Sequence, residues 1–131
     1  LGLSETVLVF EQHLAFFGGF NRFVEELPRI KARCVEKKLF VEADAQRAIA
    51  LARASSDGHG VDGIQLDKVP VSELAVRRIR EIDPRITIIA AGGINPQNAG
   101  AYAACGVDGL ATTAPFTAKP VDMSVRMKPL E

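Results

Sequence analysis

The sequence has few cysteines, no net charge and no long apolar run, and each shortage excludes a class of protein. Two cysteines, Cys34 and Cys105, are too few for a disulfide framework, and neither has a metal-ligand partner at CxxC spacing. We therefore expect free, mostly buried thiols and a reducing, cytoplasmic compartment. The 16 basic and 16 acidic side chains balance, so no basic field favours nucleic acid or an anionic membrane as a partner. No apolar run approaches the roughly 20 residues that span a bilayer.

The composition that is present is typical of a globular protein. Of the 131 residues, 47% are hydrophobic and 24% are charged, which suits one domain with a modest core. The chain opens with Leu1-Gly2-Leu3 and has no charged leader with a cleavage site. We expect that the sequence begins inside a larger protein.

Short apolar segments alternate with amphipathic ones along the chain. Residues 7–10, 39–41, 64–66, 87–90 and 110–112 have the pattern of buried strands. From the second segment onward they recur at roughly 24-residue intervals, the length of one βα unit. Strands that alternate with helices pair in parallel, through right-handed crossovers. The pattern allows an open doubly wound sheet or an arc of a βα barrel. We favour the C-terminal part of a longer barrel chain, because a complete barrel takes about 200 residues or more.

Helix boundaries are predicted from spacing and from local signals. Apolar residues recur at helical spacing from Phe20 to Ile30, and Pro28 should end or bend that helix. Asp44 is the predicted cap of the next helix. A third helix is predicted to follow Pro70, with Val71 on its inward side.

The last third of the chain carries further signals. Asn95-Pro96 is predicted to start a helix with a side-chain cap, and Gly106 is predicted to end it. Residues 123–127 alternate apolar and polar, which predicts a half-exposed final strand.

Polar residues follow the predicted strands at the edge where parallel βα folds bind ligands. Glu42 and Asp67 come directly after apolar strands, where a partly buried carboxylate needs partners. Sugar hydroxyls would provide them, as would Mg²⁺ shared with phosphates. The alternative is that each acid caps the following helix or pairs with an arginine such as Arg47. Lys68 is a candidate for meeting a phosphate or carboxylate, or for a surface salt bridge.

Ala91-Gly92-Gly93 lies between a predicted strand and a predicted helix. Glycines there let backbone amides approach a phosphate, and the helix N-terminus adds partial positive charge. The alternative is a tight turn without a ligand. Thr112 and Thr113 are candidates for donating to the same anion, with simple strand termination as the alternative.

The two histidines have different predicted roles. His13 follows the first predicted strand, where a general base is possible, but we favour a structural hydrogen bond. His59 lies between glycines and is predicted to be a solvated loop residue.

Short motifs in order along the whole chain resemble the quinolinate phosphoribosyltransferase (nicotinate-nucleotide pyrophosphorylase) family. They are Gly2-Leu3, Thr6-Val7-Leu8-Val9, His13, Phe40-Val41-Glu42, Gln65-Leu66-Asp67, Ala91-Gly92-Gly93-Ile94-Asn95, Tyr102-Ala103, Gly106-Val107-Asp108 and Asp122-Met123-Ser124. The likeness is closest to a branch called ModD, which is associated with molybdenum transport. Residues 3–10, 65–68 and 114–116 point to that branch.

The resemblance implies a fold and a reaction. Residues 1–131 would form the C-terminal part of an incomplete α/β barrel, preceded in the family by a sandwich domain, in a homodimer or larger homo-oligomer. The implied reaction is Mg²⁺-dependent transfer of the phosphoribosyl group of PRPP to a nitrogen heterocycle, with release of pyrophosphate. By position, Glu42 and Asp67 would hold the ribose hydroxyls and the metal. Gly92, Gly93 and the Thr112-Thr113 turn would hold the 5′-phosphate.

Departures from the family pattern concern the acceptor. The quinolinate enzymes carry a Lys-Asp-Asn-His run after the first strand, and its lysine meets substrate. Here the run is Phe10-Glu11-Gln12-His13, and the serine expected before the two glycines is Ala91. A dicarboxylate acceptor would lose a cationic partner, which argues against quinolinate itself.

Three hypotheses therefore stand at this point. The first is a ModD-type phosphoribosyltransferase, and the second is an ordinary quinolinate phosphoribosyltransferase of NAD synthesis. The third is a non-catalytic phosphometabolite-binding accessory protein. We expect the 131-residue chain alone to bind PRPP weakly and to turn over nothing.

Overall fold

The computed structural model describes residues 6–71 and 73–129, which form alternating strands and helices. The strands are β1 (Thr6–Val9), β2 (Lys38–Ala43), β3 (Gly63–Asp67), β4 (Thr87–Ala91) and β5 (Gly109–Leu110). The helices are α1 (Glu11–Phe16), α2 (Phe20–Arg33), α3 (Ala45–Ser55), α4 (Glu73–Ile82), α5 (Ala99–Ala104) and α6 (Ala114–Thr117). No helix in these two ranges is long and apolar enough to cross a membrane.

The strands form one parallel sheet in the order β1-β2-β3-β4-β5. A doubly wound sheet reverses its strand order at a switch point, whereas a barrel adds each new strand next to the previous one. The consecutive order found here is therefore that of a barrel arc, as predicted.

The two faces of the sheet differ in chemistry because successive strand residues point to opposite sides. The outer face packs under the helices and forms the core, with Leu39, Val41, Ile64 and Ile88 fully buried. Phe23 and Leu27 of α2, Leu51 of α3 and Ile79 of α4 cover them. Burying each such side chain contributes about 1.5–3 kcal/mol. The core thus fixes which residues are left for the opposite face.

We call that opposite side the inner face; it carries Phe40, Glu42, Gln65, Asp67 and Ile89. Phe40 packs tightly onto β3, because a Cβ built at Gly63 would lie 2.1 Å from the ring of Phe40. Only glycine at position 63 leaves room for this ring. The inner face is therefore apolar near the start of β2 and β3 and polar near their carboxyl ends.

Of the two outcomes predicted for Pro28, an end of helix α2 does not occur. The helix continues through the proline to Arg33. A proline in a helix interior loses one backbone hydrogen bond. Phe23 and Leu27, both fully buried, hold this helix against the sheet and offset that loss.

One helix near the first strand was not predicted, and the helix after the third strand starts later than predicted. β1 ends at Val9, and the next residues form the unpredicted helix α1, which Phe10 precedes as N-cap. Helix α4 begins at Glu73, so Val71 lies before it and is 46% exposed instead of inward. Both free cysteines are half-buried.

The C-terminal third also differs from prediction. Asn95 Oδ1 accepts from the backbone N–H groups of Gln97 and Asn98 at 3.0 and 3.2 Å. These are the hydrogen bonds of the predicted side-chain cap, and the Asn95 carbonyl also accepts from the Ala99 N–H at 2.9 Å. Regular helix α5 nevertheless begins only at Ala99. Gly106, at φ +85°, follows the end of α5 as predicted. The strand predicted at residues 123–127 is wrong: this segment has no regular secondary structure, is exposed, and pairs with none of the strands in the described ranges.

Candidate functional site

The carboxylates predicted for the site lie together on the inner face. Glu42 pairs in register with Gln65 on the neighbouring strand, and Asp67 follows Gln65 by two residues. The three side chains therefore share one face near the carboxyl ends of β2 and β3. Strand spacing sets the Cα atoms of Glu42 and Asp67 about 8 Å apart. We call this edge, where the strands end, the C-terminal rim.

Gln65, the hydrogen-bond partner of Glu42, was not among the predicted site residues. Its Nε2 donates to Glu42 Oε2 at 3.1 Å. A signal was present in the run from Gly63 to Asp67, where apolar Ile64 and Leu66 alternate with polar Gln65 and Asp67. That period of two assigns Gln65 to the same face as Asp67.

Other residues occupy the structural roles that were the alternatives for Glu42. Asp44 Oδ1 caps α3 by accepting from the Arg47 N–H at 2.9 Å. The Arg47 guanidinium bonds to Glu11 and lies 5.3 Å from the centre of the Phe20 ring. Glu42 is therefore neither the cap of α3 nor the partner of Arg47.

Asp67 and Lys68 form the turn that closes β3. The Lys68 N–H donates to the Ala91 carbonyl at 3.0 Å, which ties the ends of β3 and β4 together. Lys68 Nζ lies 3.7 Å from Asp67 Oδ2, with side-chain exposures of 81% and 30% respectively. Such an exposed pair contributes little to stability. The ammonium group thus stands at the C-terminal rim, where an anion could approach it.

The glycines after Ala91 have different functions. Gly92 has φ +83°, and a Cβ there would lie 2.7 Å from Lys68 N and 2.8 Å from Asp67 Oδ1. Gly93 has φ +72° with nothing within 4 Å of its Cβ position. Gly92 is needed so that the ends of β3 and β4 can approach closely. Gly93 is needed only for its backbone conformation, and it leaves the turn uncovered.

The glycine turn and the threonine turn are joined through one hydroxyl. Thr112 Oγ1 donates to the Ile94 carbonyl at 2.6 Å and accepts from the Ala114 N–H at 3.1 Å. This hydroxyl is already used within the protein. By contrast, the backbone N–H groups of Gly93 and Thr113 donate to no acceptor among the described residues. Amides of this kind need water or a ligand as acceptor.

His13 has a structural hydrogen bond. Its Nδ1 accepts from the Phe10 N–H at 2.9 Å at the start of α1. In the neutral ring this places the proton on Nε2, so the exposed nitrogen is a donor and not a base. His59 is exposed in its loop, where its backbone N–H donates to Asp57 Oδ1 at 2.9 Å.

The Glu42 and Asp67 carboxylates fit Mg²⁺ only if substrate phosphates supply further ligands. Within residues 6–71 and 73–129, no group of three or more His, Cys, Asp or Glu side chains is placed to hold a metal ion. Mg²⁺ is often held by only one or two carboxylates together with substrate phosphates. Glu42 and Asp67 fit that arrangement and do not form a self-contained metal site.

Comparison with known proteins defines the class. The family model "Quinolinate phosphoribosyl transferase, C-terminal domain" matches residues 1–126. The chain therefore belongs to this family, which confirms the resemblance seen in the motifs.

Curated relatives of two names are similar to this chain. The chain is 34% identical over 131 residues to the ModD protein of Escherichia coli O127:H6, a pyrophosphorylase by name, covering 98% of this chain and 44% of the relative. It is 39% identical over 101 residues to ModD of Rhodobacter capsulatus, which covers 75% of this chain and 36% of that relative. It is 32% identical over 116 residues to the carboxylating nicotinate-nucleotide pyrophosphorylase of Mycobacterium leprae, covering 87% and 38%. The chain thus spans less than half the length of these relatives.

A solved structure supports the fold. The nicotinate-nucleotide pyrophosphorylase of Ehrlichia chaffeensis aligns with a TM-score of 0.59 at 22% identity, over 83% of this chain and 37% of that one. This likeness confirms the barrel-type arrangement of the parallel sheet.

Proposed function

We propose that this chain carries the sugar-phosphate-binding part of a ModD-type phosphoribosyltransferase. The reaction would be Mg²⁺-dependent transfer of the phosphoribosyl group of PRPP to a nitrogen heterocycle. Family membership supports the reaction class. The observation that carries the proposal is the meeting, at one rim, of the Glu42 and Asp67 carboxylates with the uncovered glycine turn.

The glycine and threonine turns would bind the 5′-phosphate. The N–H groups of Gly93 and Thr113 have no acceptor among the described residues, and the Thr112 hydroxyl holds the two turns together. Backbone donors suit phosphate oxygens because they are fixed in direction before the ligand arrives. The open space beside Gly93 leaves room for the phosphate. Lys68 would add a positive charge at the same rim.

The carboxylates would act on the ribose. As the acceptor nitrogen bonds to C1 of the ribose, the bond from C1 to the pyrophosphate oxygen breaks and pyrophosphate leaves with the electron pair. Positive charge develops at the sugar in this step. Glu42 and Asp67, on the inner face, would hold ribose hydroxyls and stabilise that charge. Bound Mg²⁺ would supply charge neutralisation for the pyrophosphate group.

The acceptor we propose lacks the two carboxylates of quinolinate. The residue after Phe10 is Glu11, an acid whose side chain is paired with Arg47. In the run Phe10-Glu11-Gln12-His13 it is Phe10 that stands where the quinolinate enzymes have a lysine, so an anionic acceptor near the end of β1 would lack that cationic partner. Cytoplasmic location, homo-oligomer formation and a role beside molybdenum transport are further parts of the proposal, and they rest on the family likeness.

The test is pyrophosphate release followed by ³¹P NMR, with PRPP, Mg²⁺ and a panel of heterocycles that includes quinolinate. The protein at its natural length should release pyrophosphate with an acceptor other than quinolinate. Glu42→Gln and Asp67→Asn should each slow release by about 100-fold or more, as expected when a charge that stabilises the transition state is lost. The control Glu81→Gln alters an exposed acid on α4 and should have no effect.

The other outcomes separate the alternatives. Release with quinolinate alone would identify an ordinary quinolinate enzyme. PRPP binding without release in any mixture would favour a non-catalytic accessory protein. Failure to bind PRPP would refute the proposal.

A further inference from the structure

Gln65 is a polar side chain on β3 whose amide is partly removed from water. It is half-buried on the inner face, in register with Glu42 on one side and Ile89 on the other. Burying an amide costs free energy unless it gains a hydrogen bond. The bond it gains is the one to the Glu42 carboxylate.

The orientation of this bond follows from chemistry. An ionised carboxylate only accepts hydrogen bonds, so the amide nitrogen of Gln65 must face Glu42. The donor is neutral and therefore holds Glu42 Oε2 without cancelling its negative charge. A lysine or arginine at position 65 would neutralise that charge. The second oxygen, Oε1, accepts no hydrogen bond from the part of the chain that the structure describes, which leaves it for a ligand.

We propose that Gln65 is a positioning residue that orients the Glu42 carboxylate toward the ribose of the substrate. This inference rests on the proposed phosphoribosyl transfer and deepens it. Removing a partner that orients a ligating side chain typically costs 10- to 100-fold in affinity or activity. Gln65 would thus act entirely through Glu42, so its effect on binding should depend on the Glu42 carboxylate.

The test measures PRPP binding by calorimetry in the presence of Mg²⁺. Gln65→Leu, which keeps a similar volume without the donor, should weaken binding by about 10-fold. The matched control Gln46→Leu changes an exposed glutamine of α3 and should leave binding unchanged. Thermal melts check folding, and Gln65→Met replaces Gln65→Leu if the latter fails to fold.

A double-mutant cycle distinguishes positioning from a merely structural role. In the Glu42→Gln background, adding Gln65→Leu should change the PRPP dissociation constant less than about twofold, because the group that Gln65 orients has lost its charge. A full 10-fold loss in that background would overturn the inference, as would unchanged binding by Gln65→Leu alone. These results would leave the proposed function intact. Absence of PRPP binding by the wild type would instead refute the proposed function and this inference with it.

Discussion

Replacing Gly92 and Gly93 by alanine, one at a time, tests the two functions assigned to the glycine turn. Both residues have positive φ, and an alanine there costs about 1–2 kcal/mol. At Gly92 the new methyl would also meet Lys68 N at 2.7 Å and Asp67 Oδ1 at 2.8 Å. A contact with backbone at this distance forces a shift that costs about 1–3 kcal/mol more.

The expected difference is measurable by thermal unfolding. At this chain length 1 kcal/mol lowers Tm by about 4 °C. Gly93→Ala should therefore lower Tm by about 4–8 °C, and Gly92→Ala by about 8–20 °C. Both changes also affect the proposed anion site, so stability must be measured without ligand.

Ligand binding then gives the second half of the test. Gly93→Ala places a methyl in the open space proposed for the phosphate, so it should weaken PRPP binding by more than its small loss of stability accounts for. Equal losses of Tm for the two variants would refute the close approach at Gly92. Full PRPP affinity in folded Gly93→Ala would refute the assignment of this space to phosphate.

Three further predictions concern stability and the threonine turn. The hydrogen bond from Arg85 lowers the pKa of the buried Asp83 carboxyl. The ionised carboxylate therefore contributes stability that is present above pH ~4 and is lost as pH falls through the lowered folded-state pKa. Asp83→Asn should reduce Tm at pH 7 and flatten the acid-side decline in melts from pH 2 to 7; an unchanged decline would contradict this. Gly63→Ala should lower Tm by about 4–12 °C, for a cost of about 1–3 kcal/mol. Adding Phe40→Leu, which replaces the ring with a smaller side chain, should recover part of this loss of Tm; no recovery would count against the contact between position 63 and the Phe40 ring. Thr112→Val should lower the free energy of unfolding by about 1 kcal/mol and weaken PRPP binding. Thr112→Ser, which keeps the hydroxyl, should retain the stability in thermal melts and the PRPP affinity in calorimetry.

The parts of this fold that were predicted from sequence depend on local spacing. The apolar strands, the helical repeat around Phe23 and Leu27, the cap at Asp44 and the end of α5 at Gly106 are each decided within a few residues. The differences from prediction occurred where local signals do not decide alone. Packing kept α2 helical through Pro28, and α5 begins four residues after its predicted cap, Asn95. The strand expected at residues 123–127 had the right alternation but no neighbour to pair with.

The site shows the same division. Glu42, Asp67 and the glycine turn could be placed at one rim because strand ends can be located along the chain. The hydrogen bond between Gln65 and Glu42 joins residues 23 positions apart, so it depends on the register between β2 and β3. Likewise, the requirement for glycine at position 92 arises only when Lys68 and Asp67 approach from another strand.

By itself, then, the sequence determined the alternation of strands and helices and the placement of acids at two strand ends, since these follow from periodicity and residue order. Tertiary structure alone decided that the strands stand in consecutive order, that Gln65 holds Glu42, and that Gly92 and Gly93 serve different ends. The physical reason is that register and close approach bring together groups from separate strands, and neither is encoded in the spacing of neighbours along one segment.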